Sequence, residues 1–238
     1  MNIFSSEIRK LVSIRATWVY AAIIAIGMAA GAILSAYVQG MDTPFDASAV
    51  TVAGDLAMLV IIFAVANTIG ADMTRGTQAW SFLHTNRRAG VVAASSFISS
   101  AFFLLAGVVG MLAAWLGVTA LGGHVDLSSW TPIYIALARW GVFAPLAALL
   151  AYVLRSGTFS AMVLLADVFV FEIMLGLASA DWVRRLTELL PMGNASVLGS
   201  GSFPGIDHDR GTAALILAIT IGITFAGAAI IVDRRSVK

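Results

Sequence analysis

Three charged side chains, Arg139, Asp167 and Glu172, lie six or more residues inside long apolar runs of this sequence and could do chemistry there. An unpaired charge at the centre of a membrane helix costs about 2.5–3.5 kcal/mol on insertion scales, so each should face protein or water. Arg139 and Glu172 fall at similar depths in two neighbouring antiparallel helices, which predicts a buried pair. The alternative is that one or more of the three line a polar translocation path. Asp167 lies nearest the bilayer midplane without an obvious partner, and is therefore the best candidate for a path-lining or protonatable residue.

A second candidate site is the longest polar connection between two apolar runs, DMTRGTQAWSFLHTNRR, from Asp72 to Arg88. The residues singled out in it are Asp72, Arg75, Gly76, Thr77, Arg87 and Arg88. A few residues would be enough to join two membrane helices. The length and mixed polarity of this segment therefore predict a docking surface for a partner in the cytoplasm.

Several kinds of chemistry lack the residues they need. The chain has no cysteine, and its three histidines are isolated, without metal-ligand spacing such as H-E-x-x-H. Neither a G-x-x-x-x-G-K-[ST] phosphate loop nor a G-x-S-x-G nucleophile motif is present. The net charge of +1 gives no reason to expect nucleic acid. We therefore expect no catalytic residue, metal or cofactor on this chain.

The elements that must position these residues are membrane helices. The chain is 60% hydrophobic and only 11% charged, with a mean hydropathy of +0.94, whereas soluble domains contain about 25% charged residues. Six apolar runs are long enough to cross about 30 Å of hydrocarbon. They cover residues 16–38, 51–71, 91–121, 131–154, 158–178 and 211–232. The predicted fold is an all-α membrane protein with one transmembrane domain over residues 1–238.

Lys and Arg predict the orientation of these helices. With the N-terminus inside, ten Lys and Arg residues lie on the cytoplasmic side and three on the outer side. Both termini are therefore predicted to be cytoplasmic. Residues 3–12 have Phe4, Ile8, Leu11 and Val12 on one helical face, as in a basic amphipathic helix on the inner leaflet. A similar pattern from Trp182 to Leu190 predicts a second interfacial helix, which Pro191 and Gly193 should stop before a loop that runs to Arg210.

Gly27, Gly31 and Ser35 form a small-residue stripe at four-residue spacing in the first apolar run. Such a stripe lets two helix backbones approach closely. Packing within one subunit and dimerisation both predict it.

The sequence resembles the ABC-2 type permease family, the membrane subunits of ATP-driven exporters. Glu7, Lys10 and Leu11 in SEIRKLVSIR match the family's E-x-x-K-L block near the N-terminus. The second block, which follows the second span, is matched by Asp72, Gly76, Thr77, Leu83, Arg87 and Arg88. The six-span plan with both termini inside extends the resemblance over nearly the whole chain.

The resemblance implies a coupling helix within Asp72–Arg88 that seats on a separate ATPase subunit, present in two copies and carrying the ATP and Mg²⁺. Residues 3–12 would be an elbow helix on the inner leaflet, and 182–205 would form short outer helices before the last span. A second permease subunit, identical or paralogous, would complete the pathway, with the first and fifth spans near the seam and the Gly27, Gly31 and Ser35 stripe suited to it.

The function that follows is export of a hydrophobic or amphipathic compound, such as a drug, a peptide antibiotic or a lipid, across a bacterial cell membrane. Two alternatives remain. One is an ion-coupled secondary transporter that uses Asp167, Glu172 and Arg139. The other is a membrane anchor that holds a cytoplasmic partner and transports nothing.

Overall fold

The computed structural model describes residues 3–40, 44–75, 88–176, 181–203 and 205–234, and nearly all of them are helical. The helices are α1 (Ile3–Ser13), α2 (Arg15–Gln39), α3 (Ser48–Thr51), α4 (Gly54–Thr74), α5 (Arg88–Ala120), α6 (Thr131–Leu154), α7 (Gly157–Ala166), α8 (Glu172–Gly176), α9 (Asp181–Thr187), α10 (Pro191–Ser200) and α11 (Arg210–Asp233). A π-helix, Asp167–Phe171, joins α7 to α8. Two short strands, β1 (Phe45–Asp46) and β2 (Val125–Asp126), pair in parallel.

Within the described residues, five helical segments are long and apolar enough to cross a membrane. They are Arg15–Gln39, Ser48–Thr74, Arg88–Ala120, Thr131–Leu154 and Arg210–Asp233. These segments agree with five of the six predicted runs and make the chain an all-α protein of the membrane-embedded type.

The sixth predicted run, 158–178, is not one regular α-helix. Its described part is α7, then the π-helix, then α8. A π-helix inserts an extra residue into a turn and so rotates everything that follows. The hydropathy of the run gave no sign of this break, because apolar residues continue on both sides of Asp167.

The core of the bundle is formed by α4 and α6, whereas α2 and α11 lie at its periphery. In its most hydrophobic stretch the Ser48–Thr74 segment is 61% buried, against 22% for α2 and 17% for α11. Trp140 on α6 is almost fully buried, and its indole N–H donates to the carbonyl oxygen of Gly54 at 3.0 Å. The bonded indole fixes α6 against the start of α4 while it fills the core.

Contacts between chain segments define two ends of the bundle. At the first, which we call the α1 end, α1 meets the last turn of α4, and the backbone of Gly157 lies against Asn67 of α4. Arg88 at the start of α5 reaches Val232 near the end of α11 there. At the opposite end, called the α3 end, Gly199 of α10 packs against the backbone of Ile135.

The segment after α9 differs from the loop predicted there. Pro191 was expected to stop a helix but begins one, α10, which continues to Ser200. Proline is well suited to the first helical turn, because the N–H that it lacks would have no partner within the helix. The short helices implied between residues 182 and 205 are present as α9 and α10.

Candidate functional site

A buried ion triad at the α1 end ties the amphipathic helix to the bundle. The ammonium of Lys10 lies 2.6 Å from a carboxylate oxygen of Glu7 and 2.7 Å from one of Asp72. Glu7 and Lys10 are three residues apart on α1 and so share a face. Leu11, on the same side, is only 2% exposed. The ends of α1 and α4 are thus held together by both charge and apolar contact.

The electrostatics of the triad keep Lys10 charged. Burial by itself lowers the pKa of Lys10, but the charges and hydrogen bonds of Asp72 and Glu7 outweigh burial and raise it above its ordinary value. Asp72 is 4% exposed and Glu7 is 5% exposed. Because two buried carboxylates share one ammonium, loss of the lysine would break both ion pairs at once.

The triad lies directly at the base of the predicted docking segment. Asp72 is in the last turn of α4, and Arg75, which ends that helix, is exposed. Gly76, Thr77 and Arg87 lie outside the described residues.

On the far side of that gap, Arg88 begins α5, and its guanidinium donates to the carbonyl oxygen of Val232 at 3.3 Å. A cation at the C-terminal end of a helix such as α11 interacts favourably with the helix dipole. Both flanks of the segment are therefore attached to other helices.

The sequence grouped Asp72 with side chains that face a partner, whereas the structure turns it inward to Lys10. The spacing of Glu7 and Lys10 could have revealed a charged inner face on α1. No local pattern indicated that Asp72, more than sixty residues later, is the second carboxylate.

At the α3 end, Arg139 does not pair with Glu172 as predicted. Its Nη1 lies 3.0 Å from a carboxylate oxygen of Asp55 at the start of α4, and its Nε donates to the hydroxyl of Ser196 on α10 at 3.1 Å. Sequence position gives the depth of each side chain along its helix, but not the direction in which the side chain points around the helix axis. Arg139 and Asp55 also line a cleft of about 240 Å³ together with Thr51 and Pro132.

Glu172 is satisfied instead by the beginning of α10. The backbone N–H of Met192 donates to its two carboxylate oxygens, at 2.9 and 3.2 Å. The first N–H groups of a helix have no partner within the helix and carry partial positive charge, so they favour a carboxylate. Glu172 therefore attaches the broken helix to α10.

Asn194 on α10 is fully buried, and its side chain bonds to the turn between α9 and α10. Its amide nitrogen donates to the carbonyl oxygens of Glu188 and Leu190, at 2.9 and 2.8 Å. Its carbonyl oxygen must then accept the 2.7 Å bond from His208, which assigns the proton to Nε2 of that ring.

Asp167 begins the π-helix and is half-buried. Among the described residues it makes no hydrogen bond or ion pair. The structure therefore brings Asp167 and Glu172 into one irregular stretch of helix, but it does not bring Arg139 into direct contact with either.

The predicted small-residue stripe has mixed surroundings. A Cβ atom built at Gly31 would lie 2.7 Å from the Cβ of Ala53, so this glycine allows close packing within the subunit. Nothing lies within 4 Å of the same position at Gly27, which is exposed. Ser35 accepts a hydrogen bond from Gln39 on its own helix. Of the three residues in the stripe, only Gly31 is explained by close packing of helices within the subunit.

The described part of the chain contains no group of three or more His, Cys, Asp or Glu side chains placed to hold a metal ion. The described polar contacts instead join helices: the Lys10 triad joins α1 to α4 at the α1 end, and Glu172 joins α8 to the start of α10 at the α3 end.

No protein-family model and no curated protein sequence matches this chain.

Proposed function

We propose that this chain is the permease subunit of an ATP-driven exporter and that a separate ATPase docks on residues 76–87. The observation that carries the proposal is the Lys10 triad, which attaches the end of α4, and hence the base of that segment, to α1. The two sequence blocks that resemble ABC-2 permeases, around Glu7 and around Asp72, thus meet in space. Neither sequence block, taken by itself, predicts this contact between α1 and α4.

The proposed topology has six crossings, with the broken helix from Gly157 to Gly176 as the fifth. At a rise of about 1.5 Å per residue it would be about 30 Å long, enough for one crossing. Its beginning lies against α4 at the α1 end, and Glu172 meets α10, which packs at the α3 end. The excess of Lys and Arg then makes the α1 end cytoplasmic.

Transmission would follow the covalent and ionic connections at that end. Displacement of residues 76–87 by a docked ATPase would move the end of α4, and the triad would carry the movement to α1. Only Ile14 separates α1 from α2, so α2 would move as well. Such coupled movement of α2 and α4 is a means of opening a pathway alternately to each side for a hydrophobic or amphipathic compound.

The test uses the chain co-expressed with an ATPase encoded beside it, purified together and placed in nanodiscs. We expect Arg75→Glu combined with Arg87→Glu to prevent co-purification. Lys10→Met should leave the ATPase bound but reduce the ATP hydrolysis that the permease stimulates. Arg234→Gln, an exposed arginine at the same end of the bundle, is the matched control. If the double charge reversal assembles and hydrolyses ATP like the wild type, residues 76–87 do not dock an ATPase.

A second candidate is an ion-coupled carrier, and Asp167 is the observation that favours it. This half-buried carboxyl lies in a π-helix and has no hydrogen-bond partner among the described residues. Irregular helix within a bundle often accompanies a binding or transport site. Under this proposal Asp167→Asn would abolish a flux driven by a proton gradient in liposomes without ATP. An Asp167→Asn protein that still needs ATP and still transports would eliminate it.

A further inference from the structure

An apolar groove between α2 and α5 begins next to an exposed arginine. Its walls include Trp18, Ala22 and Ala25 on α2 and Phe102, Leu105 and Val109 on α5, and its volume is about 370 Å³. Trp18 and Phe102 meet edge to face, with ring centroids 5.6 Å apart, and form one end. Small alanine side chains between larger ones leave the hollow.

The groove runs along the two helices. Gly110 of α5 lies against Ala25 of α2, and further along Gly117 lies against Ile33, so the helices run in the same direction. The lining residues cover two helical turns on each, which is about 10 Å. This shape suits a segment of one extended hydrocarbon chain.

Arg15 stands at the end of the groove that is nearer α1. It lies three residues before Trp18, and Ala22 and Ala25 continue the same face at helical spacing. Arg15 is exposed, and within the described residues it has no ion pair or hydrogen bond. A cation therefore stands about one helical turn beyond an apolar groove.

Helix α1 sets the depth at which this cation would lie. Its residues Phe4, Ile8 and Val12 recur every four positions and are each about half exposed, as expected for a helix in the membrane interface. The indole N–H of Trp18 donates to the carbonyl oxygen of Val12 at 2.9 Å and so fixes the end of α1 beside the groove. Arg15 is then at headgroup level, and the groove extends into the hydrocarbon.

The exposed charge around this entrance is positive. Arg9 on α1 is exposed as well as Arg15, whereas the neighbouring acid Glu7 is buried against Lys10. We propose that this corner binds one anionic phospholipid of the leaflet on which α1 lies, with its phosphate on Arg15 and an acyl chain between α2 and α5. The site requires only that the chain is embedded in a membrane, so it does not depend on the exporter proposal.

A second copy of the chain fits this face less well. Between Arg15 and Gln39, α2 contains no Asp or Glu. A two-fold symmetric contact uses the same patch on both subunits. It would therefore bring arginines together without an acidic partner on that helix.

The test is native mass spectrometry of the purified full chain titrated with phosphatidylglycerol or phosphatidylcholine. We expect tighter binding of phosphatidylglycerol, reduced about five-fold by Arg15→Gln and largely retained by Arg15→Lys. Ala22→Trp should weaken both lipids by filling the groove. Arg234→Gln, which removes an exposed arginine just after the end of α11 and away from the groove, should bind as the wild type does.

If Ala22→Trp does not fold, fluorescence quenching provides a second measurement of lipid binding in the groove. Phosphatidylglycerol with a nitroxide near the headgroup should quench the protein fluorescence, and Trp18→Phe should remove that part of the quenching. Equal binding of both lipids by wild type and Arg15→Gln would overturn the proposal. It would also be overturned if Ala22→Trp dissociated a dimer without changing lipid binding, since a second copy would then occupy the groove.

Discussion

The two ends of the bundle satisfy their charges in different ways. At the α1 end one ammonium is shared by two carboxylates that are almost inaccessible. At the α3 end the charges are separated: Arg139 pairs with Asp55, whose side chain is 61% exposed, while Glu172 takes a backbone N–H from α10. Removing one residue of the triad at the α1 end is expected to be costly. At the α3 end, Arg139 and Glu172 each have partners of their own, so the loss of one does not affect the other.

This difference bears on how each end could move. A buried triad fixes the relative positions of α1 and α4, because separation would break two ion pairs of nearly inaccessible carboxylates. A partly exposed pair can exchange its partner for water at little cost. The α1 end therefore holds α1 and α4 in fixed relative positions, whereas the Arg139–Asp55 pair at the α3 end can separate at little cost.

The largest effect is expected from Lys10→Met, which removes both ion pairs of the buried carboxylates Glu7 and Asp72. Because Lys10 itself is 26% exposed, we expect a loss of about 2–4 kcal/mol in the free energy of unfolding. SDS titration in mixed micelles would measure it. Arg9→Met, an exposed neighbour on the same helix, should change the value by less than about 0.5 kcal/mol. A Lys10→Met protein as stable as Arg9→Met would mean that the triad does not join α1 to the bundle.

An intermediate effect is expected at the α3 end from Gly199→Ala. The added Cβ would lie 2.5 Å from the Cα of Ile135, so α10 and α6 must separate, at a cost of about 1–3 kcal/mol. The same titration applies. Gly27→Ala is the matched control, since nothing lies within 4 Å of its Cβ position and alanine favours a helix. Equal stability of the two variants would contradict the close contact of α10 with α6.

The smallest effect is expected from Asp55→Asn. This change removes the charge opposite Arg139 but keeps an oxygen that can accept its hydrogen bond, and Ser196 still accepts from Nε. For a pair this exposed, a loss below about 1 kcal/mol is expected. A loss as large as that from Lys10→Met would show that the ion pairs at the two ends contribute equally to stability.

The long apolar helices and the amphipathic α1 followed from the sequence because their signals are local. A continuous apolar run has to be helical in lipid, where every backbone polar group must be satisfied within the segment. The four-residue spacing of Phe4, Ile8 and Val12 likewise depends only on helix geometry. By contrast, Leu11 was assigned to that same face, and in the structure it packs inward beside Lys10.

Partner choice between distant residues was decided by the tertiary structure. Depth in the sequence predicted Arg139 with Glu172, but the rotation of α6 directs Arg139 to Asp55, and the start of α10 takes Glu172. The break at Asp167 and the helix that begins at Pro191 also depend on neighbouring helices. The sequence by itself thus determined which segments are apolar helices and where charge is scarce. Only the packed bundle decided which charges meet, because side-chain direction depends on how each helix is rotated against its neighbours.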